Sequence, residues 1–305
     1  MANPYRPILE YIPLFLEYCD LERGLSIHTQ INYQRYLKKF EKWLIQEEKK
    51  ALKPHALTIQ DVHEFRKFLS KINDENGVRL SPISQNYYLI ALRALLSYFL
   101  EKGISSLPPN KIKLWKTSKK SSKFLTREQV DKLLNAPDVA HISGLRDRAV
   151  LELIFATGLR ISEVVALNRN SFYHVIDKEN GQVEIVSRGK RIRKIHIPKG
   201  ALDWIKEYLA ARTDHQEALF INYRGRVQTE NRLTPRSIER IIKAYAIKAG
   251  VPEFTTPNAL RHSYTQDLIK TSAGIPHIKQ ALGHENILTT QTYIHRQFHS
   301  GKNLK

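Results

Sequence analysis

Over the first hundred residues, apolar side chains recur at helical spacing. From Ser26, whose hydroxyl is placed to cap a helix, Tyr33, Tyr36, Leu37, Phe40, Trp43 and Leu44 fall on one stripe and predict an amphipathic helix. Thr58 predicts the start of a second, carrying Val62, Phe65, Phe68 and Leu69. Ser81, with Pro82 at the first helical position, predicts a third through Ile83, Tyr87, Ile90, Ala91, Ala94, Leu95 and Tyr98. With a shorter helix over Ile8 to Cys19, the pattern describes a bundle of about four helices. Aromatic residues at this spacing read as core, not as a platform for stacked bases.

Between Ser105 and Phe124 the pattern breaks. Pro108 and Pro109 stop any helix, and six lysines (111, 113, 116, 119, 120 and 123) occur with no acid among them. This divides the chain into a helical domain over residues 1–105, a basic linker over 106–124 and a second domain over 125–305. Beyond Thr126, a cap, helices are expected near 127–135 and 144–156, the second ending at Gly158. Val183, Ile185 and Ser187 then alternate with polar residues, Arg188-Gly189-Lys190 turns, and Arg193, Ile195 and Ile197 alternate on the return before Pro198. That is a β-hairpin with lysine at its tip. The rest is mostly helical, including Pro276 to Leu282 closed by Gly283. The fold class is therefore mainly α with a small β-sheet, in two domains.

The charge narrows the partners. In 305 residues, 49 Lys and Arg oppose 30 Asp and Glu, a formal charge of +19, and a polyanion such as nucleic acid is the simplest counterpart. The linker lysines suit contact with a phosphate backbone. Cys19, the single cysteine, excludes an internal disulfide, and one Cys with scattered His does not make a structural zinc set. No apolar run of membrane-spanning length or signal-peptide character is present, so a cytoplasmic protein with no membrane partner is expected.

The candidate chemistry lies in the second domain. Arg160 sits where one helix stops and another, carrying Ile161, Val164, Val165 and Leu167, begins; a helix N-terminus and a guanidinium fork both favour phosphate oxygens. Alone, Arg160 is better explained as the ion-pair partner of an acid such as Glu163, and Arg261 as a surface charge. Two such forks together could neutralise the charge of a pentacoordinate phosphorus without a metal. Tyr293 needs nearby cations or a base to act as a nucleophile, because a phenol has a pKa of about 10. His284 could hydrogen-bond a phosphate oxygen, and Lys190 could protonate a leaving alkoxide. Gly189-Lys190 lacks the rest of a P-loop and no dinucleotide fingerprint occurs, so no ATP, NAD or other cofactor is expected. His295 and His299, four residues apart, lack a third ligand and read as a polar face.

Arg160, Lys190, Arg261, His284 and Tyr293, in this order, resemble the tyrosine recombinase (phage integrase) family, most of all its Xer-type members. The resemblance covers nearly the whole chain. Phe15 to Tyr18, Glu22 to Ser26 and Tyr33 are similar to the start of the family's core-binding, SAM-like domain. Ala156 to Glu163 resembles the first arginine box. Lys190, eight residues before Pro198, resembles the lysine hairpin. Leu260 to Tyr264, Leu282 to His284, and Thr289 to Tyr293 resemble the second box, the third box and the nucleophile segment.

The resemblance implies a site-specific recombinase with an α+β catalytic domain. Tyr293 would form a 3′-phosphotyrosyl link, Arg160 and Arg261 would clamp the phosphate, Lys190 would be the general acid and His284 would support the phosphate. Glu163 would hold the arginine box. It also implies double-stranded DNA as substrate, a tetramer of self or of a paralogous recombinase on two sites, and room for a cell-division or accessory activator. One position departs from the family pattern: Asn258 stands where a His usually lies three residues before the second arginine. An amide takes no proton near neutral pH, so cleavage slower by about 100-fold or more is implied if that His relays the tyrosine proton. The 12 residues after Tyr293 are a short tail for the helix that docks between protomers in the family. A resolver of chromosome dimers at cell division is favoured over a mobile-element integrase, because no arm-binding segment precedes the helical domain. A non-catalytic DNA-binding relative and a type IB topoisomerase are the remaining alternatives.

Overall fold

The computed structural model describes residues 6–73, 77–116, 124–187, 191–223, 231–271 and 274–283. The chain forms two compact units, residues 1–119 and 120–305.

In the first unit, α1 (Ile8–Leu21), α2 (Ile27–Gln46), α3 (Ile59–Lys71) and α4 (Pro82–Glu101) form the expected bundle. The helix starts follow from side-chain chemistry. Ser26 accepts from the Thr29 N–H, Ser81 from the Ser84 N–H, and Thr58 and Asp61 cap one another reciprocally. Leu37, Phe40, Trp43 and Leu44 of α2 meet Val62, Phe65 and Leu69 of α3, with Phe40 and Phe65 edge to face at 5.0 Å.

One expectation for this unit is corrected. On α4, Ile83, Tyr87 and Ile90 face outward, whereas Leu89, Leu92, Leu96 and Phe99 are buried with Ala91, Leu95 and Tyr98. The helix is apolar on most of its circumference, so spacing alone does not identify the covered face. The segment expected as linker is packed in its first part. Ile112 is 1% exposed in the core of the bundle, beyond a 3₁₀ turn at Pro109–Lys111. The Asn86 side chain donates to the Trp115 carbonyl (3.1 Å) and accepts from the Trp115 N–H (2.9 Å). Lys119, Lys120 and Lys123 lie outside the described residues.

The second unit contains α5 (Arg127–Leu134), α6 (Ile142–Thr157), α7 (Ile161–Val165), β1 (Asn180–Ser187), β2 (Arg191–Pro198), α8 (Lys199–Ala210), α9 (Pro235–Lys248), α10 (Pro257–Lys270) and α11 (Ile275–Leu282). Its core is built on α6, whose Ala149, Val150, Leu151, Leu153 and Ile154 are all buried, as expected for a helix covered on most sides. The two strands pair antiparallel with Val183 opposite Ile195 and Ile185 opposite Arg193, and their inward positions join this core. Ser187 pairs with Arg191 at the end of this register, and residues 188–190 lie outside the described residues. Gly158 ends α6 and Gly283 ends α11, both at φ +60° in the left-handed region. The mainly α fold with a small sheet is as the sequence predicts.

Candidate active site

Arg160 and Arg261, 101 positions apart in sequence, are brought to the same place by the end of α6, the first half of α10 and the end of α11. Arg261 is 7% exposed. Its guanidinium donates to the Gly158 carbonyl and, at 2.6 Å, to the Leu282 carbonyl. Arg160 occupies the N-cap position of α7 with its side chain about one-third exposed. It donates to Glu163 Oε1 at 3.2 Å and reaches the Gly283 carbonyl at 3.5 Å.

Glu163 lies behind this pair and is 4% exposed. Its carboxylate accepts from the Arg160 backbone N–H (2.9 Å), the Ser187 hydroxyl (3.0 Å) and Arg193 Nη2 (3.2 Å). Burial pushes its pKa up, but the Arg160 N–H and the Arg193 and Arg160 charges outweigh that and hold it below the usual carboxylate range. Helix α7 has only five residues, and the backbone N–H at its cap is already bonded to Glu163.

The structure adds Arg193 to the cluster, which the sequence reading treated only as an alternating strand position. Arg193, on the same face of β2 as the buried Ile195 and Ile197, bonds Ser187 Oγ (2.8 Å), Glu163, and the Ala281 (2.7 Å) and Gln280 (3.2 Å) carbonyls. A guanidinium at an inward strand position was a readable signal, since it must find acceptors where its neighbours are buried. Gly283 is required by it: a Cβ there would stand 2.6 Å from the Arg193 guanidinium carbon.

Among the described residues, two guanidinium groups thus bond one carboxylate, and the charge of that carboxylate also acts on Arg261. Burial first, and then the Arg160 charge, lower the Arg261 pKa to about 10, still far above neutrality. Tyr264, packed beneath, has its pKa raised by burial. Asn258 is exposed on the first turn of α10, three residues before Arg261 and so toward the same face. Lys190, His284, Tyr293, His295 and His299 lie outside the described residues. The carbonyls of Gln280 to Gly283, which hold the arginines, belong to the residues directly before His284.

Residues 123–300 match the Phage integrase family, and residues 12–103 match its N-terminal SAM-like domain. The chain belongs to that family, the tyrosine recombinases. They are enzymes that cut and rejoin DNA, and the similar curated proteins are of the Xer type. Tyrosine recombinase XerD of Lacticaseibacillus casei is 33% identical, covering 92% of each chain. Tyrosine recombinase XerC of Myxococcus xanthus is 32% identical, covering 94% of this chain and 92% of that one. Among solved structures, XerH bound to palindromic difH substrate in a post-cleavage complex aligns with a TM-score of 0.71 at 20% identity, over 96% of this chain and 84% of that one. A lambda integrase dimer on a COC′ core site gives 0.68 at 17% identity, over 94% and 77%. These two likenesses establish the tyrosine recombinase fold.

Proposed function

We propose that this protein is a site-specific recombinase that cuts and rejoins duplex DNA through a 3′-phosphotyrosyl intermediate. The Tyr293 oxygen attacks the scissile phosphorus, the bond from phosphorus to the 5′-oxygen breaks, and Lys190 gives that oxygen its proton. The phenolic proton leaves to water, since Asn258 cannot accept it. Arg160 and Arg261 bind the non-bridging oxygens, and His284 adds a hydrogen bond. Religation reverses these steps on a new 5′-hydroxyl, so the energy of the broken bond is kept and no ATP or metal is consumed.

The observation that carries this reading is the convergence of Arg160 and Arg261 on the C-terminal carbonyls of α11, with more guanidinium than carboxylate among the described groups. Such a cluster favours a phosphate whose charge increases in the transition state. The net charge of +19 suits the duplex, and a neighbour solved as a dimer on a core site supports a complex of recombinase protomers on DNA. Relatives of the XerC and XerD types favour resolution of chromosome dimers over mobile-element integration.

The test uses a duplex site selected from random sequence by binding, nicked so that cleavage is trapped, with products read on a denaturing gel. A covalent protein–DNA band that disappears in Tyr293→Phe is expected. Sequence-specific binding with no covalent band from the wild type would overturn the catalytic reading in favour of a DNA-binding relative.

A further inference from the structure

Arg193 joins three parts of the site that are remote in sequence. It bonds Ser187 on the opposite strand, the Glu163 carboxylate that also holds Arg160, and two carbonyls in the last turn of α11, whose next two carbonyls receive Arg261 and Arg160. Its side chain is 15% exposed, with Nε, Nη1 and Nη2 all engaged and Gly283 against its face. A planar guanidinium presents donors in fixed directions, so each of these contacts constrains the others.

We infer that Arg193 is a positioning residue: by fixing Glu163 and the end of α11 together, it sets the separation and orientation of Arg160 and Arg261 for the scissile phosphate. This rests on the phosphate-clamp reading above. Arg193 holds the acceptors and does not itself touch the DNA. Its loss displaces the clamp without removing either arginine of the pair. Binding energy from the rest of the duplex is unaffected, and the chemical step is slowed.

The experiment compares full-length wild type with Arg193→Met, Arg193→Lys, Ser187→Ala and Arg160→Ala on the trapped duplex. Each is assayed with the natural scissile phosphate and with a methylphosphonate in its place. The methylphosphonate has a methyl group for one charged oxygen, so less charge must be neutralised and a misplaced arginine matters less. For Arg193→Met, the expected result is site affinity within about 3-fold of wild type and single-turnover cleavage lower by about 10- to 100-fold, the scale of a small misalignment of reacting groups. On the methylphosphonate that gap from wild type should shrink several-fold. Arg193→Lys should recover only part of the rate, and Ser187→Ala, a mild variant that keeps the arginine, should show a smaller defect of the same kind.

If Arg160→Ala is relieved on the methylphosphonate but Arg193→Met is equally impaired on both substrates, Arg193 supports folding alone and the inference is overturned. Wild-type cleavage by Arg193→Met overturns it as well. If Arg160→Ala itself is not relieved, the clamp reading fails. Should Arg193→Met not fold, the same comparison is decided on Ser187→Ala and Arg193→Lys.

Discussion

Replacing Glu163 by Gln removes one negative charge from the centre of the arginine cluster while keeping the side chain's size. The carboxylate is almost fully buried and accepts from two arginines, the Ser187 hydroxyl and a backbone N–H. An amide keeps one acceptor oxygen and turns an NH₂ group toward guanidinium donors. Removing one member of a buried ion pair costs about 3–5 kcal/mol; because Arg160 is one-third exposed and water can serve it, the lower end, about 3 kcal/mol, applies. For a unit the size of residues 120–305, about 2–4 °C of melting temperature accompanies each kcal/mol, which gives a fall of about 6–12 °C.

Calorimetry of the full chain at neutral pH measures it, on the transition of the C-terminal unit. The pH dependence supplies an internal control. Glu163 has a folded pKa below its unfolded one, so its contribution is fully present above the unfolded value, about 4.3 for a glutamate, and is lost as pH falls through the lower folded value. The gap between wild type and Glu163→Gln should therefore be constant from pH 8 to about 5 and close in more acid solution. A fall of less than about 2 °C at neutral pH, or a gap that widens as pH drops, would refute the account of Glu163 as the buried counterion of the cluster.

Three further outcomes follow from particular contacts. Gly158→Ala should destabilise the C-terminal unit by at least about 1–2 kcal/mol in thermal melts, because φ is +60° there and the added Cβ would overlap the Tyr264 ring. Ile112→Ala should cost about 2–4 kcal/mol for unfolding of the N-terminal unit in urea; a solvated tether would change by less than about 0.5 kcal/mol. Asn258→His should raise single-turnover cleavage by about 10-fold or more on the trapped duplex, with a new pH dependence near the imidazole pKa, and an unchanged rate would show that proton removal from Tyr293 does not limit the reaction.

Four helix starts were legible because each has a local chemical cause. Ser26, Thr58, Ser81 and Thr126 bond a backbone N–H three residues on, and no distant contact is needed to recognise them. The hairpin was legible for a similar reason, since alternation fixes which residues turn inward. The covered face of α4 was not, because Leu89, Leu92, Leu96 and Phe99 compete with Ile83, Tyr87 and Ile90 at nearly equal hydrophobicity, and the neighbouring helices decide. The docking of residues 106–116 was hidden by lysines: Ile112 is the buried residue among them, and its acceptance depends on a core formed by the preceding helices. The arginine boxes were readable as pieces, but their meeting point is a product of tertiary structure.

That meeting point explains how a cation-rich site can exist before its substrate arrives. Three arginines crowded together repel, and burial raises the cost. Full pairing with carboxylates would lower that cost but would also cancel the field that a phosphate needs. The described contacts take a middle course. Glu163 neutralises one charge, while the carbonyls of Gly158, Gln280, Ala281, Leu282 and Gly283 receive other donors of the three arginines. A carbonyl orients a guanidinium and satisfies its hydrogen bonds without removing its charge, and carbonyls at a helix C-terminus carry extra partial negative charge. The described cluster is thus held in shape by dipoles and keeps a net positive charge, as the proposed phosphate clamp requires. This arrangement also accounts for the glycines at 158 and 283, since the carbonyls of both, which accept from Arg261 and Arg160, lie at left-handed helix ends where a side chain would collide with Tyr264 or Arg193.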